Sequence, residues 1–193
     1  MGKIDFFKTF VKDKDVASVI PTSRRCVKKV CTHIDFSEDF LLVEYGPGDG
    51  AFTKYLIENM SEGSRLILIE ANKNFAEHLR DIIDDPRVEI HNILAGNVRD
   101  VLSEKDLGSV DYVLSGIPFS FFDMDRKRVI LKATKDILKQ KGKFLAYQTS
   151  GHLKEPVMEV FGNYETEFEM LNIPPYFIYE VINNGTPTAE TGQ

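Results

Sequence analysis

Leu41-Leu42-Val43-Glu44-Tyr45-Gly46-Pro47-Gly48-Asp49-Gly50-Ala51-Phe52-Thr53 is an apolar run that stops at three glycines and continues into a helical pattern. The run predicts a buried strand, and the glycines its turn. Gly46, Gly48 and Gly50 open backbone conformations closed to residues with a Cβ and let the main chain approach a ligand, while the following helix presents its N-terminus. After a helix over residues 51–60 comes a second apolar strand, Arg65-Leu66-Ile67-Leu68-Ile69, which ends at Glu70, about twenty residues past the turn. A carboxylate in that place accepts hydrogen bonds from both hydroxyls of a ribose. The two features together predict a corner that binds a nucleoside.

Glu44 inside the strand, and the order E-x-G-x-G-x-G in place of G-x-G-x-x-G, separate this corner from a dinucleotide-binding turn. It resembles the first motif of the class I S-adenosylmethionine-dependent methyltransferases. The resemblance implies an α/β fold, with a Rossmann-like seven-stranded sheet whose last strand is antiparallel, preceded by N-terminal helices, and S-adenosyl-L-methionine as cofactor. It places Glu44 near the methionine end of the cofactor, Gly46, Pro47, Gly48, Asp49 and Gly50 beneath it, and Glu70 with Ala71 at the ribose. In that family the loop after the third strand carries an acidic residue that reads adenine. Asn97, in Ala95-Gly96-Asn97-Val98, stands there in this chain, and an amide also pairs with adenine.

At 193 residues and 42% hydrophobic composition, the chain predicts one domain with a substantial core. No apolar run approaches the roughly twenty residues that span a bilayer, and no signal-peptide pattern opens the chain, so a cytoplasmic protein is expected. Cys26 and Cys31 lack metal-ligand spacing and read as buried thiols, and His33, His78, His91 and His152 are too scattered to suggest a metal site. The net charge of −6 argues against holding long nucleic acid over the whole surface. Residues 1–30 carry eight Lys or Arg against three Asp, a net of +5, which leaves −11 on the remaining 163.

That basic arm opens with Ile4, Phe6, Phe7, Phe10 and Val11 on one face of a helix over residues 3–14, with Asp5, Lys8, Thr9 and Lys12 opposite. The pattern fits an anchor on an anionic membrane surface and equally a lid on its own domain. Pro21 breaks this helix, and Thr22 or Ser23 caps a second one running to about residue 34. A Phe-rich amphipathic start, then Ile20-Pro21-Thr22-Ser23, then the glycine corner, resembles the bacterial phospholipid N-methyltransferases of the soluble, peripheral-membrane type. The expected organisation is capping helices over 1–35, a methyltransferase domain over 36–183, and a disordered tail over 184–193.

Helices over 72–84 and 123–140 and strands over 88–90, 110–114 and 143–148 continue the alternation. A short helix over 152–161 and a final antiparallel pair, 164–171 and 176–182, complete it. The fourth strand runs into Ser115-Gly116-Ile117-Pro118-Phe119-Ser120-Phe121-Phe122, at the end of a strand where α/β sheets bind ligands. This loop resembles the N-[IP]-P-[YF] loop of amino-directed methyltransferases, in which backbone carbonyls and a side-chain amide orient a nitrogen beside an aromatic ring. Gln148-Thr149-Ser150 and Asn172-Ile173-Pro174-Pro175 resemble segments of the phospholipid enzymes. The resemblance nominates Tyr45, Ser115, Pro118, Phe119 and Gln148 as the pocket, with Ser115 also at the cofactor. Phe119, Phe121 and Phe122 read as neighbours of a cationic headgroup or as core. Arg24 and Arg25 are nominated for a lipid phosphate. The basic side of the 123–140 helix reads as solvated.

These features imply methyl transfer to the amine of a phosphatidylethanolamine-like or other amino lipid by a protein peripheral on the cytoplasmic membrane. Two alternatives remain open, an RNA adenine N6-methyltransferase and a non-catalytic binding module that keeps the cofactor fold. The acidic body and the lack of a separate RNA-binding domain make nucleic acid the less favoured partner. The sequence does not give the oligomeric state.

Overall fold

The computed structural model describes residues 23–170 and 175–185. The amphipathic stretch 3–14, Pro21 and Thr22, most of the N-I-P-P connection and the tail from residue 186 lie outside the described residues.

β1 (Leu41–Tyr45) is buried at all five positions, as a central strand covered on both faces requires. It runs parallel to β2 (Arg65–Ile69) on one side and to β4 (Val110–Ser115) on the other. β3 (Val88–His91) extends the parallel set beyond β2, and β5 (Leu138–Gln148) extends it beyond β4. β7 (Tyr176–Ile182) is antiparallel to β5, and β6 (Glu165–Glu169) is antiparallel to β7 at the edge. The order is therefore β3-β2-β1-β4-β5-β7-β6, the expected seven-stranded sheet. Chain order reverses between β1 and β4, so a crevice opens beyond their carboxyl ends.

Strand alternation splits the core in two. Val43, Tyr45, Val113, Phe144 and Ala146 face α4 (Met124–Ile137), α5 (Lys154–Phe161) and the 3₁₀ turn Ala95–Asp100. Leu42, Leu66, Leu68, Leu114 and Leu145 face α1 (Arg24–Cys31), α2 (Ala51–Asn59) and Leu79 of α3 (Lys73–Ile82). Ser23 caps α1, its Oγ accepting from Cys26 N at 3.1 Å. Cys26 and Cys31 are free, buried thiols, and burial pushes Cys31 up to about 12. The outer face of α1 is pinned to the β6–β7 edge: Lys29 pairs with Glu167, and His33, just past the helix, bonds Glu180, which also takes Lys143 at 3.0 Å.

Two expectations change. The helix expected over 123–140 ends at Ile137, because Leu138 already pairs with Val110 and the Asn183 amide caps the carbonyls of Lys135, Leu138 and Lys139. Two lysines on that helix's basic side are not solvated. Lys127 is 5% exposed and donates to the His152 carbonyl, while Lys135 donates to the Val160 carbonyl at 2.9 Å, near the negative end of the α5 dipole. Near the end of α3, Ile82 is 55% exposed, since the helix is buried through Ala76 and Leu79.

Candidate functional site

The glycine turn leaves β1 with Gly46 at φ +67 and Gly50 at φ +83, in the left-handed region where a Cβ is strained. Gly46 has a second reason to lack a side chain: a Cβ there would lie 2.7 Å from Ile117 Cγ2 of the loop after β4. Its N–H donates to the Ile69 carbonyl at 2.9 Å, which ties the end of β1 to the end of β2. Pro47 is buried, and Asp49 is exposed with Oδ1 accepting from Ala51 N at the start of α2.

Glu70 follows β2 directly and is 7% exposed. Its Oε2 accepts from Gly48 N at 3.1 Å and its Oε1 from Asn72 N at 2.7 Å. Burial raises its pKa, against the lowering effect of the backbone N–H groups of Asn72, Gly48 and Ala71. Glu44 is 3% exposed on the opposite side of the turn, with Oε2 accepting from Thr53 Oγ1 of α2 at 2.8 Å. Burial pushes it up to about 8, the Thr53 hydroxyl pulls it down, and Glu70 and Asp49 raise it further. Two buried acids thus flank a glycine turn, a setting that a cationic ligand with hydroxyls would relieve.

Asn97 is exposed on the 3₁₀ turn beyond β3. Sequence reasoning missed Asn92, two strands from the turn, whose amide donates to the Glu70 carbonyl at 2.7 Å and fixes the backbone behind the carboxylate. An Asn two residues past a predicted strand was the available signal.

The loop after β4 meets the glycine turn directly: Gly116 N donates to the Tyr45 carbonyl at 2.9 Å. Ser115 is fully buried, and among the described residues its Oγ has no hydrogen-bond partner. Pro118 is half-buried and leads into a 3₁₀ turn, Phe119–Phe121.

Three of the nominated pocket residues are buried in packing or hydrogen-bonded contacts. Tyr45 is fully buried on the α4 face, its hydroxyl within 3.3 Å of Thr134 Oγ1, because alternation along β1 turns it away from the side that carries Glu44. Phe119 is also fully buried, edge-on to Phe122 and Phe144, so its ring underlies the loop and does not face a headgroup. Gln148 is 5% exposed and holds the loop in shape. Its Oε1 accepts from Phe119 N at 3.0 Å, and its Nε2 donates to the carbonyls of Ile117 at 2.9 Å and Tyr147 at 2.8 Å. Of the loop aromatics, Phe121 is the exposed one, at 42%, while Phe122 lies 5.1 Å beneath the Arg126 guanidinium.

Arg24 and Arg25 begin α1, and both are exposed. Arg25 Nε lies 4.0 Å from Glu169, which pairs with Tyr176 in the sheet. Tyr176 leads into Phe177, the partner of Gln148, so the two arginines stand at the crevice end of the sheet. The site therefore joins a nucleoside corner on β1 and β2 to a rigid loop on β4 that is braced from β5.

The chain matches the family described as "Methyltransferase domain" over residues 43–146. It is 27% identical over 183 residues to the ornithine lipid N-methyltransferase of Singulisphaera acidiphila, covering 91% of this chain and 94% of that one. To the ribosomal RNA small subunit methyltransferase A of Lachnoclostridium phytofermentans it is 28% identical over 97 residues, 48% of this chain and 32% of that one. Among solved structures it is similar to the Burkholderia thailandensis 1,6-didemethyltoxoflavin-N1-methyltransferase, a structure with bound S-adenosylhomocysteine, at TM-score 0.67 and 14% identity over 94% of this chain and 86% of that one. The precorrin-6y C5,15-methyltransferase of Geobacter metallireducens gives TM-score 0.67 at 16% identity, over 86% and 91%.

Proposed function

The chain belongs to the class I S-adenosylmethionine-dependent methyltransferases, and from that premise we propose that it methylates the amine of an amino lipid at the cytoplasmic face of a membrane. The observation that carries the proposal is the extent of the match to an ornithine lipid N-methyltransferase, nearly end to end in both chains, whereas the RNA enzymes are matched over 44–69% of this chain and at most half of their own length. The chain spans about a third of the length of the Lachnoclostridium phytofermentans enzyme.

The residues present fit the cofactor. Two buried acids, the glycine turn and the Ser115 hydroxyl, which has no hydrogen-bond partner among the described residues, form a polar cradle in an otherwise apolar sheet end. In this reading Glu70, with Ala71 beside it, holds the ribose hydroxyls, Gly46 to Gly50 underlie the chain of the cofactor, Glu44 faces its cationic methionine end, and Asn97 stands toward the adenine. When bound, S-adenosylmethionine supplies the methyl: the amine lone pair forms the new N–C bond as the S–C bond breaks, the bonding pair returns to sulfur, and the proton of the resulting ammonium leaves to solvent. The protein's own share is positioning and exclusion of water. Gln148 fixes the carbonyls of the β4 loop, Pro118 and Ile117 shape its edge, and Phe119 supports it from the core.

Residues 1–35 form the docking end in this reading and 36–183 the catalytic domain. Arg24 and Arg25 offer charge to a lipid phosphate. No described helix is long and apolar enough to cross a membrane, and the apolar stripe of residues 3–14 carries the surface contact. Burying its three phenylalanines adds about 1.5–3 kcal/mol each, more than the roughly 1 kcal/mol per basic residue that an anionic surface gives.

Incubation with cofactor labelled in the methyl group, alongside vesicles of ornithine lipid or phosphatidylethanolamine and, separately, ribosomal RNA, tests the acceptor class. Label entering the lipid fraction is expected. Label entering only RNA would favour the adenine reading, which the partial match to the RNA enzymes supports.

A further inference from the structure

We propose that Tyr147 is an acceptor-positioning residue whose phenol hydroxyl supplies, from β5, the polar group that the β4 loop lacks at Gly116. The proposal rests on the N-methyltransferase reading above. Gly116 is the first residue past β4 at the switch point, and its φ is not in the left-handed region, so conformation does not demand glycine there. Space does. A Cβ at Gly116 would lie 2.5 Å from the Tyr147 hydroxyl oxygen, 3.2 Å from its Cζ and 3.1 Å from the Gly46 carbonyl. The phenol thus occupies the place of a Gly116 side chain, between the cofactor turn and the acceptor loop.

Its position is fixed on three sides. The ring stacks on Phe52, in the first turn of α2, at 4.8 Å and 25°. The Tyr147 carbonyl accepts from Gln148 Nε2, and the residue pairs with Ile178 of β7. Tyr147 as a whole is half-buried.

A neutral phenol oxygen accepts a hydrogen bond from an amine N–H and so aims the lone pair without consuming it. This gives a signature that packing would not. A primary amine has two N–H groups, its monomethyl product one and its dimethyl product none, so the hydroxyl assists the first and second transfers and leaves a third unassisted.

The test is Tyr147→Phe in the full chain, which keeps the ring and its stacking on Phe52. On whichever acceptor the wild type labels, ornithine-lipid vesicles, phosphatidylethanolamine vesicles or RNA, kcat for the first transfer should fall ten- to a hundredfold while affinity for S-adenosylhomocysteine stays within about twofold. Any third transfer, followed by mass spectrometry, should proceed at the wild-type rate. Gly116→Ala, whose Cβ crowds the hydroxyl, should lower turnover in the same way. A Tyr147→Phe protein that matches wild type in kcat, or that loses cofactor affinity as much as turnover, overturns the proposal. Label in RNA alone would remove the lipid acceptor, while the same comparison on RNA still decides the role of Tyr147. If no acceptor in the panel is labelled, sinefungin, a cofactor analogue with an amine in place of the transferable methyl, gives the comparison. Its preference over S-adenosylhomocysteine should shrink at least threefold in Tyr147→Phe, and an unchanged preference overturns the proposal.

Discussion

The ends of β1 and β4 lie side by side in the sheet, yet they are held in different ways. The β1 corner is built from its own neighbourhood: left-handed glycines, a strand acid bonded to Thr53 nine residues on, and a Glu70 carboxylate that takes its bonds from Gly48 and Asn72. The β4 loop is braced from afar, by Gln148 across 29 and 31 residues and by a Tyr147 ring that leans on Phe52. A corner made of local geometry tolerates change elsewhere in the chain, whereas a loop held by remote side chains can be retuned without touching the cofactor. The same division fits an enzyme family that keeps one cofactor and varies the acceptor.

The largest effect is expected where the two regions touch. Gly46→Ala adds left-handed strain of about 1–2 kcal/mol and a clash with Ile117. It should weaken S-adenosylhomocysteine binding more than about a hundredfold by calorimetry and lower the melting temperature as well. Glu70→Ala breaks the corner alone. Losing charge-assisted bonds of about 1.5–3 kcal/mol should cost roughly ten- to a hundredfold in cofactor affinity in a protein that stays folded.

Glu44→Gln sharpens the comparison through pH. Burial, the main cause, pushes its carboxyl up to about 8 in the fold, against 4.5 for a glutamate in the unfolded chain. Between those values the native state holds the extra proton, so stability contributed by the protonated acid is complete below 4.5 and is lost as pH rises through 8. The melting temperature of the wild type should fall over that window by more than that of Glu44→Gln, and equal slopes would remove Glu44 as the cause. Cofactor binding near neutral pH should also release a proton from the wild type and not from Glu44→Gln, measurable by calorimetry in buffers of different ionisation enthalpy.

The same contrast explains what could be read from the sequence. The strand, the turn and Glu70 were legible because glycine conformations and apolar runs are local properties. The packing of Tyr45 was not legible, because alternation along β1 turns it from Glu44 toward Thr134. Phe119 and Gln148 were nominated for the right loop, but burial makes them its supports, and burial depends on Phe144 and Phe161 behind them. Tyr147 was missed because its meaning depends on Gly116, 31 residues away, having no side chain. The end of α4 was misread for the same kind of reason: Asn183, near the far end of the described chain, stops it.

Gln148→Ala tests the division of labour most directly, because it removes two bonds from the β4 loop and none from the β1 corner. Measured together, S-adenosylhomocysteine affinity should stay within about threefold of wild type while methyl transfer falls by roughly tenfold or more. Parallel loss of affinity and turnover in a folded Gln148→Ala protein would mean that the two strand ends act as one site, and the account of separate cofactor and acceptor supports would be wrong.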